Sequence, residues 1–128
     1  MGDYTVKNLK TDVDNAAAQF GIEGMEARFG RKALELGQFG LSYQKFTPNF
    51  RQGFGHRHEQ QEEAYVVIAG SGRVKVDDDV VELKQWDVIR IAPAATRQFE
   101  SGPDGMEYLA IGGAPAGDAE IVEGWWTD

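Results

Sequence analysis

The chain has 128 residues, 41% hydrophobic and 27% charged, which is enough for one folded domain with a core and too little for two. Lys plus Arg number 13 against 21 Asp plus Glu, a formal charge of −8, so a phosphate backbone or an anionic membrane is excluded as the expected partner. There are no cysteines, so disulfide scaffolds, thiolate metal sites and cysteine nucleophiles are excluded as well. No stretch approaches the ~20 apolar residues of a membrane span. Asp3, Lys7, Lys10, Asp12 and Asp14 interrupt the first twenty residues, which predicts no cleaved signal and a cytoplasmic protein.

In chain order, the first predicted element is a short helix over 15–20. Thr11 or Asp12 is its expected cap and Gly21 its stop. Residues 25–36 are ambiguous: Phe29, Ala33 and Leu36 fit helical spacing, but Gly30 weakens it. From residue 40 the pattern turns to strands and tight turns. Residues 40–46 read as a strand ended by Pro48, and 64–68 as a second one closed by Gly70-Ser71-Gly72. Residues 73–77 alternate, with Val74 and Val76 inward, and Asp77-Asp78-Asp79 reads as a solvated turn before 80–83. Strands are expected over 86–92 and 97–100, then a turn over 101–105 and a strand over 106–111. The remaining tail has no clear period. Trp125 and Trp126 predict that it folds back onto the barrel or a partner chain, because two exposed indoles are costly. Short strands with turns every eight to twelve residues indicate an all-β sandwich or barrel with a short N-terminal helix.

The only two histidines lie in His56-Arg57-His58. Residues i and i+2 of a strand share a face, so both imidazoles can converge. Glu62 and Glu63 follow at the start of the next strand, where a returning loop brings one carboxylate beside the rings. Two histidines and one carboxylate can hold Fe, Mn, Ni or Zn with positions left open. Adjacent Glu62 and Glu63 face opposite ways and cannot flank one bond, which argues against a glycosidase pair. No serine sits in an elbow motif, and Gly53-Phe54-Gly55 and Gly70-Ser71-Gly72 lack the following residues of a phosphate loop.

At these residues the sequence resembles the cupin superfamily, in particular its small single-domain members. The first cupin motif, Gly-x5-His-x-His-x3,4-Glu-x6-Gly, is matched by His56, His58, Glu63 and Gly70, while its opening glycine falls on Phe50. In the second motif, Gly-x5-Pro-x-Gly-x2-His-x3-Asn, Trp86 replaces the first glycine, Ala92 the proline and Ala94 the second glycine. Arg97 takes the place of the histidine. The resemblance implies a double-stranded β-helix, with an extension over 1–39, a barrel core over 40–112 and a tail over 113–128 in one domain. It implies a homodimer as well.

Cupins usually bind one divalent metal through three histidines and the glutamate. By that register His56, His58 and Glu63 are ligands, and the fourth position holds Arg97. An arginine stays protonated and has no acceptor. A +1 and a +2 charge ~4 Å apart repel by roughly 8 kcal/mol at an effective dielectric of ~20, against about 10–16 kcal/mol for binding of a structural zinc. A metal-free or weakly metal-binding site is therefore expected, with an Arg97–Glu63 ion pair. An inward Arg97 offers a planar fork of donors for a carboxylate or phosphate. Phe99 shares its face, and Tyr65 shares a face with Glu63. Arg97, His56, His58, Glu63, Tyr65 and Phe99 thus form the expected binding set for a small organic acid or polar aromatic molecule. The expected function is a binding cupin without an established catalytic step. The alternatives are a metal-dependent oxygenase or isomerase, and a metal-free enzyme using His56 or His58 as acid–base.

Overall fold

Strand pairing joins most of the chain into one continuous sheet. The computed structural model describes residues 2–113 and 116–128. Its strands are β1 (Met25–Phe29), β2 (Phe39–Phe46), β3 (Phe54–His58), β4 (Glu63–Val76), β5 (Asp79–Lys84), β6 (Val88–Ile91), β7 (Arg97–Gly113) and β8 (Ala119–Glu123). One path of the sheet runs β1-β2-β7-β3-β8, and β4 pairs with β5, β6 and β7. This is a double-stranded β-helix, as the sequence led one to expect. Ala114 and Pro115, at the start of the expected tail, lie outside the described residues.

Helix α1 (Ala16–Gln19) is capped by Asn15, not by Thr11 or Asp12. The Asn15 side-chain oxygen accepts from the Ala17 N–H at 3.1 Å and from the Ala27 N–H at 3.0 Å. One residue thereby caps the helix and ties it to β1. Asp12 instead accepts from the Asn8 N–H at 2.8 Å. The ambiguous stretch resolves into both possibilities: β1, and a four-residue helix α2 (Arg31–Leu34), on either side of Gly30.

Two expected turns are not turns. β4 runs through Gly70-Ser71-Gly72, and β7 runs through 101–105. The two strands pair along their length, with register shifts between Val67 and Ala69 and between Gly70 and Gly72. A β-carbon on Gly70 would lie 2.1 Å from the Gly105 carbonyl oxygen, and one on Gly72 2.3 Å from that of Glu100. Glycine there lets two backbones cross and both strands bend while still paired. The first half of β4 then pairs with β6 and the second half with β5. Trp86 corrects a further reading. It precedes β6 rather than opening the strand expected over 86–92, adopts φ 73° and is 68% exposed, so it is a turn residue.

The core gathers Phe46, Tyr65, Val74, Phe99, Met106 and Tyr108 with their neighbours. The rings of Tyr65, Phe99 and Tyr108 lie 4.7–5.6 Å apart, within aromatic contact. Each such buried side chain contributes about 1.5–3 kcal/mol over its exposed state.

The tail folds onto its own barrel. β8, which lacked a pattern in the sequence, pairs with β3 from Phe54↔Glu123 to His58↔Ala119. Trp126 is buried, with the Arg51 guanidinium 4.0 Å and that of Arg73 5.2 Å from its ring. Glu100 accepts from both arginines at 2.8 Å. Among the described residues no helix is long and apolar enough to cross a membrane.

Candidate functional site

His56 and His58 stand on the same side of β3, their rings 5.2 Å apart. Glu63 opens β4, and Tyr65 follows two residues later on the same face. Arg97 opens β7 directly opposite His56. Three strand ends therefore deliver the five side chains to one place.

One carboxylate oxygen is the hub. Glu63 Oε1 accepts from the Tyr65 hydroxyl, lies 3.1 Å from His58 Nε2 and 3.5 Å from His56 Nε2. Arg97 Nη2 is 3.9 Å away. Burial alone would raise the Glu63 carboxyl; hydrogen bonds from His56, His58 and Tyr65 outweigh it and hold the group well below the usual carboxylate range. Tyr65 moves the opposite way, raised by burial and by the Glu63 charge, so it stays a hydroxyl donor. For His58, burial favours the neutral ring, but its bonds to Glu63 and Asp118 prevail against that and against Arg97, and its pKa is raised.

Asp118 is the residue that sequence reasoning missed. Its Oδ1 lies 2.7 Å from His58 Nδ1, and its Oδ2 accepts from the Gln60 and Gln61 N–H groups at 2.8 and 2.9 Å. Burial would raise this carboxyl, yet the Gln60 N–H, His58 and the Gln61 N–H pull it down to about 2. No spacing in the sequence announces it. The β3–β8 pairing alone sets Asp118 beside a ring sixty residues earlier.

Arg97 is inside, at 0% exposure. Its guanidinium does not lie on the cavity wall. It donates to the Ala92 and Pro93 carbonyls at 3.2 and 3.4 Å, and its Nε has no partner among the described residues. Arg97 thus stands behind Glu63 and does not face a ligand. Phe99, 1% exposed, is likewise part of the core behind Tyr65. The neighbouring Glu62 pairs instead with Arg90 at 3.2 Å.

The face that remains open is a cavity of about 390 Å³. His56, His58, Glu63 and Tyr65 form its polar end, and Arg31 and Gln44 add donors along the wall. Phe29, Leu41, Phe54 and Ile121 supply apolar sides. Arg31, which the sequence did not single out, donates to the Gly113 carbonyl at 3.2 Å and has further N–H groups to offer.

The metal-ligating atoms of His56, His58 and Glu63 all lie within 4.8 Å of one another, a grouping that can hold an ion. The fourth place of the usual cupin set is filled by the buried cation of Arg97, and among the described residues no other ligand joins the group. The donor set fits a three-ligand site at best, next to a permanent positive charge.

Comparison with known proteins gives the same fold. The chain superposes on a cupin protein from Bacteroides fragilis with TM-score 0.74 at 24% identity, covering 98% of this chain and 93% of that one. The polyketide cyclase RemF from Streptomyces resistomycificus gives TM-score 0.74 at 18% identity, with 97% and 88% covered. A Klebsiella pneumoniae protein with a double-stranded β-helix domain gives 0.73 at 14%, with 94% and 99% covered. No curated protein sequence matches the chain. The family model described as "Cupin domain" matches residues 42–112, which span β2 to the last residues of β7 and include every member of the Glu63 hub, and on that match the chain belongs to the cupin family.

Proposed function

We propose that this cupin binds a small aromatic acid or phenol in its cavity, without a metal ion. The observation that supports this most is Arg97, wholly buried and 3.9 Å from the Glu63 oxygen that would face an ion. The Arg97 guanidinium and the His58 ring balance the Glu63 charge, and the Tyr65 hydroxyl donates to it, without a metal. The acidic group of a ligand meets Arg31 and His56, and its ring lies against the apolar sides. A cavity of about 390 Å³ matches the ordinary size of small-molecule sites.

The test has two parts. Protein purified without chelator is analysed for transition metals, and 4-hydroxybenzoate is titrated by calorimetry. We expect no stoichiometric metal, and binding that weakens at least about tenfold in His56→Ala, the loss of one charge-assisted hydrogen bond. A tightly held metal at one ion per chain would overturn the proposal, as would an absence of binding at millimolar ligand. The second reading, a metal-dependent oxygenase or isomerase, is favoured by the approach of the His56, His58 and Glu63 ligand atoms to within 4.8 Å. The same metal analysis separates the two.

A further inference from the structure

A second, larger concavity of about 600 Å³ opens beside the first. Ala16 and Phe20 of the α1 region, Met25 and Phe29 of β1, and Phe50 and Phe54 before and on β3 are among the residues of its wall. Phe29, Gln44 and Phe54 line both concavities. The two therefore adjoin across these three side chains as neighbouring lobes, between the β1 margin of the sheet and β3. One lobe ends at the His56–Glu63 cluster and the other under α1.

The second lobe is almost entirely apolar. Arg51 reaches it, but its guanidinium is committed to Glu100 and the Trp126 carbonyl. At the junction Gln44 accepts from the Tyr108 hydroxyl at 2.9 Å and keeps its amide hydrogens for a ligand. Phe20 and Phe29 are 81% and 57% exposed, a large apolar surface to leave in water beside a polar cavity.

We infer that the ligand is elongated: an acidic head in the polar lobe and a flat, fused-ring body lying across Phe29 and Phe54 into the groove under α1. This rests on the binding function proposed above and names its ligand class. A small molecule is the occupant, rather than a protein surface, because the groove is concave and adjoins the polar lobe across Phe29, Gln44 and Phe54. Its volume also lies within the ordinary range of ligand pockets. The body is aromatic because Phe20, Phe29, Phe50 and Phe54 offer ring faces and edges at low entropic cost.

The experiment is a calorimetric series with one head and a growing body: 4-hydroxybenzoate, 6-hydroxy-2-naphthoate and a three-ring hydroxyanthracene carboxylate. Each fused ring should tighten binding about fivefold, from the added apolar area it buries. Ala16→Trp and Gly53→Leu both put bulk into the groove, and the space around a β-carbon at Gly53 is open. In either variant the affinity ratio between three-ring and one-ring ligands should collapse towards one. A flat series in the unmodified protein, with 4-hydroxybenzoate still binding, overturns the inference and leaves the binding function standing. Failure of every member to bind overturns both. Ratios unchanged in both variants, with a changed sedimentation mass, would make the groove a contact between copies and overturn it too.

Discussion

Arg97→Met deletes the guanidinium and keeps the length and apolar stem of the side chain. Two unit charges of opposite sign 3.9 Å apart attract by about 4 kcal/mol at an effective dielectric of ~20. Glu63 keeps its hydrogen bonds from Tyr65 and His58, which limits the damage. The Pro93 carbonyl still accepts the His58 N–H at 2.8 Å and the Ala92 carbonyl the Ala95 N–H at 3.2 Å, so neither carbonyl is left without a donor. The net expectation is a loss of about 3 kcal/mol, at the lower end of the range for removing one partner of a buried ion pair. Equilibrium urea unfolding at pH 6 measures it, as a lower midpoint with unchanged slope. Glu63→Gln alone should also destabilise, and the double variant should recover about 2 kcal/mol relative to the sum of the two. A single-variant loss under about 1 kcal/mol, or effects that add within about 0.5 kcal/mol, would refute the idea that the buried cation exists to hold the Glu63 charge.

Stability should peak between about pH 5 and 6.5. Glu63 and Asp118 have lowered pKa values, so their contribution is present above their ordinary values of 4.5 and 3.8 and is lost as pH falls. His58 is raised above 6.5, so its contribution is present below that value and is lost as pH rises through the folded pKa. Thermal melts across pH would check this, and Asp118→Asn should flatten the alkaline limb; an unchanged limb would show that His58 is not held by Asp118. Arg97→His exchanges the cation for an imidazole and should raise nickel or zinc affinity at least about tenfold, read by calorimetry. Equal affinity in the two proteins would exclude Arg97 as the obstacle to metal. Trp126→Ala removes a buried indole packed under Arg51 and should cost about 3–5 kcal/mol in urea unfolding; a loss below 1 kcal/mol would show that the tail contributes little. Light scattering at micromolar concentration is expected to give a homodimer, and a monomer would contradict that expectation.

The features legible in the sequence were local in origin. Strand-type composition between turn signals placed β2 and β5, and alternation placed the Arg73–Val76 segment, because both are properties of consecutive residues. The His56-x-His58 pair and Glu63 were readable because one strand and one tight return bring them together. The course of β4 and β7 was not readable. Gly70-Ser71-Gly72 and the 101–105 segment have turn composition, and only their mutual pairing keeps them extended. Burial of Arg97 agreed with the register argument, but its direction did not. The Ala92 and Pro93 carbonyls turn the fork away from the cavity, and these acceptors exist only once the loop before β7 has folded around it.

The sequence by itself determined the all-β class and the strands β2 and β5, the convergence of two imidazoles and a carboxylate, and the substitution of a cation for the usual fourth ligand. Tertiary structure alone decided that Asp118 braces His58, that Arg31 rather than Arg97 meets the cavity, and that a second apolar lobe adjoins it. The physical reason is separation along the chain: β8 reaches β3, and α1 reaches β1, through backbone pairing and capping contacts that no local period encodes.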